Sequence, residues 1–317
     1  MSEDCYLVTG ALGCIGSWVV RNLIRVGIPT TVFDLSNDAR RMKLIMSDDE
    51  LAQVRFITGD ITDLKTVENA FAQSQATQVV HLAGLQVPFC KANPPLGARV
   101  NVVGTINIFE AAKRVGLTRV VYASSAAVYG PDNEYPNAPV AHNAPLRPMT
   151  HYGVFKQANE GNARVYWHND GISSIGLRPY VVYGPGRDQG LTSDPTKAML
   201  AATRGEPYHI SYGGRCEMQY ADDVAKIFIQ ATTAPFEGAD VFNLHGSVVD
   251  MQTVVNAIAA AAPGSDITFE NKPLGFPPAM DGSPLEAALG PLPNTPLADG
   301  VSATVAMFKQ AIDAGNV

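Results

Sequence analysis

The chain has 317 residues, 46% of them apolar and 17% charged, enough to bury a large core in one domain or two coupled ones; a disordered or collagenous chain is excluded. Thirty acidic residues against 23 basic ones leave a net charge of -7, and no segment concentrates Lys or Arg, so nucleic acid is not an expected partner. The acidic start Met1-Ser2-Glu3-Asp4 and the short apolar run Tyr6-Leu7-Val8 have neither the form of a signal peptide nor that of a membrane span, so a cytoplasmic protein is expected. Cys5, Cys14, Cys90 and Cys216 are far apart and lack metal or dithiol spacing; reduced, mostly buried thiols and no metal site are expected.

In the first half, short β-branched runs alternate with stretches of helical period, the pattern of parallel strands joined by helices. Strands are predicted at 5–9, 30–34, 54–58, 78–83, 119–124 and 174–178, and helices at 15–26, 64–72, 97–115 and 152–170. This is an α/β, Rossmann-type doubly wound parallel sheet, whose ligand crevice lies outside the carboxyl ends of its strands. After about residue 184, Gly- and Pro-rich stretches interrupt shorter elements, and helices are expected at 221–233, 254–261 and 298–314. The division expected is a dinucleotide domain of residues 1–183 with a returning segment near 217–247. Residues 184–216 and 248–317 would then form a smaller C-terminal substrate lobe. The Pro-rich stretch from Pro273 to Pro296 reads as an ordered wrap.

The first strand runs into Thr9-Gly10-Ala11-Leu12-Gly13-Cys14-Ile15-Gly16 and then directly into an amphipathic helix. Glycines at 10, 13 and 16 permit a tight turn, close approach of a pyrophosphate and close helix packing, so this is a dinucleotide loop. A helix N-terminus at Cys14 would favour its thiolate. Asp34 ends the second strand, where a carboxylate accepts both hydroxyls of an adenosine ribose and repels a 2′-phosphate, which favours NAD over NADP; Arg40 and Arg41 are the counterweight. Asp60, after the third strand, is placed to accept from the adenine amino group, and Leu82, Ala83 and Gly84 let backbone approach the cofactor. His81, in an apolar strand, reads as a core histidine.

Tyr152 and Lys156 open a helix one turn apart on the same face, and strand 119–124, which includes Ala123, exits into Ser124-Ser125 at the same rim. A phenol has a reference pKa near 10, and a neighbouring ammonium and an oxidised nicotinamide both favour its phenolate. Tyr152 is therefore the expected base, Lys156 its cationic neighbour and nicotinamide-ribose ligand, and Ser125 the hydrogen-bond partner of the reacting oxygen.

With these residues in place the chain resembles the extended short-chain dehydrogenase/reductases of the NAD-dependent epimerase/dehydratase family over nearly its whole length. The resemblance rests on the glycine loop, Asp34, Asp60-Ile61, His81-Leu82-Ala83-Gly84, Asn101, Ser125, Tyr152 with Lys156, the run Arg178 to Arg187, and a tail of Leu289-Gly290, Thr295-Pro296-Leu297 and Gly300. It implies NAD as cofactor, cofactor contacts that also include Ile61, Ala123, Tyr180 and Val181, and a role for Asn101 in shaping the active-site helix. It also implies Ser125 rather than Ser124 as the serine used, and a homodimer through the helices near 97–115 and 151–170.

Two positions depart from the family pattern. Val181 stands where nucleotide-sugar enzymes commonly carry Asn, and Ala126-Ala127 stand where dehydratases place Asp and Glu, which argues against water loss. Arg187 and Arg215 remain as anion-holding groups of the smaller lobe, and Gln86, Ala126 and His151 are placed to contact substrate. The expected reaction is oxidation of a secondary hydroxyl on a small sugar-like or polyhydroxy acid substrate by hydride transfer to NAD. A UDP-sugar 4-epimerase with transient hydride transfer is one alternative, and a non-catalytic NAD-binding sensor on the same fold is another.

Overall fold

Apolar side chains that alternate along short strands go to opposite faces of a sheet, and this chain fills both faces. Tyr6 and Val8 join one core cluster while Leu7 joins another. The computed structural model describes residues 4–135 and 138–317, which leaves Met1, Ser2 and Glu3 of the acidic start outside the described residues. Its strands are β1 (Tyr6–Thr9), β2 (Thr30–Asp34), β3 (Arg55–Thr58), β4 (Gln78–His81), β5 (Arg119–Ala123), β6 (Ser173–Arg178), β7 (Val181–Tyr183), β8 (Tyr208–Ile210), β9 (Arg215–Tyr220), β10 (Ala239–Asn243), β11 (Ser247–Asp250) and β12 (Ile267–Phe269). The helices are α1 (Cys14–Arg25), α2 (Asp48–Leu51), α3 (Leu64–Ser74), α4 (Val87–Ala92), α5 (Pro94–Ala98), α6 (Gly104–Val115), α7 (His151–Asp170), α8 (Asp194–Arg204), α9 (Ala221–Thr233), α10 (Met251–Ala261), α11 (Ser283–Leu289) and α12 (Leu297–Asp313).

Seven parallel strands form the main sheet in the order β10-β6-β5-β4-β1-β2-β3. The order reverses beside β1, the switch point where a doubly wound sheet opens a crevice. Helices α1 and α9 pack together against one face, and α3, α6 and α7 cover the other. Two small sheets, β11-β9-β7 and β12-β8, lie outside the main one.

The structure corrects the sequence reading in three places. The sheet has seven strands, not six, because residues 239–243 return to pair with β6; their single Val-Phe core and exposed Asp240 gave no run to recognise. The stretch 97–115 is not one regular helix: α5 ends at Ala98, a π-helical turn spans Arg99–Val103, and α6 begins at Gly104. The helix expected from 254 starts at Met251, where Asp250 caps it by accepting from the Thr253 N–H at 2.8 Å. The Pro-rich stretch carries α11 and is fastened to the body through a bridge between Val140 and Met280. No helix of the described residues is long and apolar enough to cross a membrane, and among them no group of His, Cys, Asp or Glu is arranged to hold a metal ion.

Candidate active site

Each loop that leaves the carboxyl end of β1 to β6 contributes to the wall of one cleft, a cavity of about 630 Å³. At Gly10 φ is +66°, and a Cβ there would lie 2.4 Å from the Ala83 nitrogen, so only glycine lets the β1 and β4 exits come together. Helix α1 then begins at Cys14, with Gly13 as an N-cap that offers no side chain and with no acidic residue in its first turn. Its first N–H groups and the positive end of its dipole are left for an anion. Asp34 is fixed in advance: its carboxylate accepts from Leu12 N at 3.0 Å and Leu35 N at 2.8 Å. Burial raises its pKa, and these two N–H groups and Arg41 pull the other way. A glycine cradle, an uncapped helix end and an oriented carboxylate suit a dinucleotide.

Of the residues expected to touch cofactor, Gly10, Leu12, Gly13, Cys14, Ile15, Gly16, Asp34, Asp60, Ile61, Leu82, Ala83, Gly84, Ala123, Tyr152, Lys156 and Tyr180 all line this cleft. Asn101 and Val181 are not part of its wall. Val181 is fully buried in β7. Asn101 sits in the π-helical turn, where its Nδ2 donates to the Leu85 carbonyl at 3.1 Å and to Cys90 Sγ at 3.2 Å, which bends the chain beneath Gly84. His81 is a core residue whose ring nitrogens meet Thr9 Oγ1 at 2.7 Å and Thr105 Oγ1 at 2.9 Å; burial takes its pKa down to about 3. The thiol of Cys14 is pushed up to about 12 by burial, against the expectation of a thiolate, because desolvation outweighs the nearby Arg187 and Arg41.

Tyr152, Lys156 and Ser125 converge on the same wall. Thr150 caps α7 by accepting from Gly153 N at 3.0 Å, which starts the helix where Tyr152 faces the end of β5. Ser124 and Ser125 both line the cleft and are separated by their partners: Ser124 Oγ hydrogen-bonds the buried Glu160 carboxylate, whereas Ser125 pairs with the Tyr152 phenol. Lys156 Nζ lies 5.7 Å from the centre of the Tyr152 ring. In the chain alone the phenol is not depressed. Burial raises the Tyr152 pKa, and the opposing pulls come from Ser125 and from Arg187, not from Lys156. Burial also brings the Lys156 ammonium down to about 8.

Of the residues expected to contact substrate, Gln86, Ala126 and Arg187 line the cleft with Ser125 and Tyr152. Gln86 Oε1 and Arg187 Nε are both buried without a hydrogen-bond partner, an arrangement that folded chains rarely leave unless a ligand or water completes it. Three residues expected to contact substrate lie elsewhere: Val181, buried in β7, and Arg215 and His151. Arg215 is exposed at the start of β9, and His151 is exposed on the first turn of α7, its ring stacked on Phe155. Neither belongs to the wall, because β9 faces its own small sheet at that end and the α7 residue next to Tyr152 points about 100° around the helix.

Sequence reasoning missed Phe89 and Leu96 of α4 and α5, the loop Gln189-Gly190-Leu191-Thr192, and Phe276, all of which line the cleft. Only the position of 190–192 just beyond the Gly-Pro-Gly-Arg run hinted at this.

Comparison with known proteins agrees with this geometry. The family model described as the NAD dependent epimerase/dehydratase family matches residues 6–244. A UDP-glucose 4-epimerase of Mycolicibacterium smegmatis is 30% identical, the match covering 96% of this chain and 98% of that protein. Among solved structures, the Thermus thermophilus UDP-glucose 4-epimerase in complex with NAD has a TM-score of 0.80 at 27% identity, covering 96% of this chain and 99% of that one. A partial consensus L-threonine 3-dehydrogenase has a TM-score of 0.85 at 24% identity, covering 97% and 100%, a likeness of fold alone.

Proposed function

This chain belongs to the NAD-dependent epimerase/dehydratase family and is an enzyme with NAD as its cofactor, and we propose that it oxidises the secondary hydroxyl of a small hydroxy or polyhydroxy acid, releasing the ketone. The observation that carries this reading is the charge on the substrate wall. Arg40 and Arg41 lie at the Asp34 end of the cleft and Lys156 lies beneath Tyr152, so among the described residues the only other guanidinium in the wall is Arg187. A single guanidinium with an unpartnered Nε matches one carboxylate, and a nucleotide diphosphate needs more. Val181 adds no polar group, and Arg215 points to solvent.

In this reading Gly10 to Gly16 cradle the pyrophosphate, Asp34 holds the adenosine ribose and Lys156 the nicotinamide ribose. Bound NAD supplies the acceptor for the hydride that leaves the carbinol carbon. Ser125 orients the substrate hydroxyl, Tyr152 takes its proton at Oη, and Arg187 with Gln86 holds the carboxylate so that the carbinol faces the phenol. With Ala126 and Ala127 beside Ser125, no carboxylate there performs dehydration.

A second reading, UDP-sugar 4-epimerase, is favoured by the full-length similarity to the Mycolicibacterium smegmatis enzyme. A panel of hydroxy acids, sugar acids, sugars and UDP-sugars incubated with NAD decides, read for NADH absorbance and product stereochemistry. Stoichiometric NADH with an acid, and a KM raised roughly 10- to 100-fold in Arg187→Met, supports oxidation. A new epimer of a UDP-sugar without NADH overturns it.

The same proposal includes a cytoplasmic homodimer. Val103 in the π-helical turn and Val154 and Val165 on α7 are exposed apolar side chains on the helices expected to pair. Sedimentation equilibrium at micromolar concentration should give twice the chain mass, and a monomer there would exclude this contact.

A further inference from the structure

The loop after β7 crosses the adenosine end of the cleft and is fastened there. Trp18 Nε1 donates to the Pro185 carbonyl at 3.0 Å, and a Cβ on Gly186 would sit 3.6 Å from Arg41 Cβ and from Cys14 Cα. Beyond it, Asp188 Oδ1 accepts from Arg41 Nε at 2.9 Å and is ion-paired with Nη2 at 2.8 Å. The remaining nitrogen, Nη1, donates to the Leu12 carbonyl at 3.0 Å. Every nitrogen of this mostly buried guanidinium therefore has a partner. The N–H of the same Leu12 goes to Asp34, so one residue's main chain separates the two opposite charges at the ribose end. Arg40, by contrast, is exposed, with Asp38 at 3.5 Å.

We propose that Asp188, on the substrate-side loop, is a specificity-determining residue for NAD over NADP because it withholds Arg41 from a 2′-phosphate. An Arg close behind the second strand is where a dinucleotide fold accommodates that phosphate, through paired N–H donors. Here the donors are present but their anion is already supplied from the other lobe. Asp34 excludes the phosphate by repulsion, and Asp188 excludes it by occupying the cation that would answer that repulsion. Asp188 acts through Arg41 and needs no contact with the cofactor. The inference rests on the proposed reading of Asp34 as the ribose ligand.

Titration calorimetry of NAD⁺ and NADP⁺ on five proteins tests it: the wild type, Asp34→Ser, Asp34→Ser/Asp188→Asn, the latter with Arg41→Ala, and Asp34→Ser/Asp188→Glu. Asp34→Ser should weaken NAD⁺ and leave NADP⁺ weak. Adding Asp188→Asn should tighten NADP⁺ by roughly tenfold or more while NAD⁺ stays within about threefold, which also shows that the protein is folded. Arg41→Ala should abolish the gain, and Asp188→Glu in place of Asp188→Asn should not produce it. An NADP⁺ affinity unchanged by Asp188→Asn, or a gain that survives Arg41→Ala, overturns the proposal alone. An undiminished NAD⁺ affinity in Asp34→Ser overturns the reading of Asp34 and the proposal with it.

Discussion

Lys156 Nζ donates a 2.6 Å hydrogen bond to the main-chain carbonyl of Ala123, fastening the helix that carries Tyr152 to the strand end that delivers Ser125. The lysine thus fixes the distance between two elements whose side chains must meet, quite apart from its charge. Behind them a buried pair repeats the tie: Arg178 reaches Glu160 through Nε at 2.8 Å and Nη2 at 2.7 Å, and Glu160 holds Ser124.

Replacing Tyr152 with Phe should lower kcat by roughly 10²- to 10⁴-fold while NAD binding stays within about twofold, since the phenol is assigned the proton and not the cofactor's anchoring. Calorimetry with NAD beside a turnover assay checks both halves. Unchanged turnover would remove the base from Tyr152.

Oxidation should speed up as pH rises through the alkaline range, because burial keeps the Tyr152 phenol protonated above its ordinary range and deprotonation supplies the base. Lys156 titrates near pH 8 in the folded chain, against 10.5 for an ordinary lysine. Between those values the unfolded chain binds more protons, so this residue's contribution to stability increases with pH. Lys156→Met should remove that rise, measured as urea midpoints at about pH 8 and 10.

Glu217 lies buried in β9, where its carboxylate accepts from the Met280 N–H at 2.8 Å, and burial lifts its pKa from 4.5 to about 8. Between pH 4.5 and 8 the folded chain holds a proton that the unfolded chain has lost, so stability falls as pH rises through that window. Glu217→Gln keeps an acceptor for Met280 and carries no charge. It should flatten the slope and raise stability at about pH 8 by an amount on the order of a few kcal/mol. Thermal melts at about pH 5, 6.5 and 8 provide the comparison; parallel curves for both proteins would contradict it.

At Gly190 φ is +99°, and a Cβ would sit 2.4 Å from Gln86 Oε1 and 3.2 Å from Arg187 Nη2. Gly190→Ala should therefore raise KM for the proposed acid substrate by roughly tenfold or more and spare NAD affinity, because it displaces the two polar groups, Gln86 and Arg187, proposed to hold that substrate. Equal losses for substrate and cofactor would point to a general collapse of the loop.

Arg178→Met should destabilise the fold by about 3–5 kcal/mol, since it strands the Glu160 carboxylate in the core, and the double change with Glu160→Leu should recover much of that loss. Chemical denaturation of both variants measures it.

The main sheet and the cofactor end were legible because their chemistry is local. Glycines 10, 13 and 16, Asp34 and the Tyr152-Lys156 pair occupy fixed offsets from strands and helices that hydrophobic period alone reveals. The end proposed to hold substrate was not, because its wall is assembled from α4, α5, the 186–192 loop and Phe276, which meet only in the folded chain. Arg187 and Arg215 look alike in sequence, and burial alone separates the one in the cleft from the one in solvent. The Asp188–Arg41 pair joins residues 147 positions apart, beyond any spacing rule.

The attachment of Pro185 to Trp18 has a consequence for traffic through the cleft. That indole is fully enclosed in the core and meets Tyr220 edge-on with ring centres 5.6 Å apart, so the strap cannot lift at its Pro185 end without opening the interior. Any gate for ligand entry and departure must swing from the other end, where Gln189 and Leu191 face solvent around the one glycine that tolerates the turn.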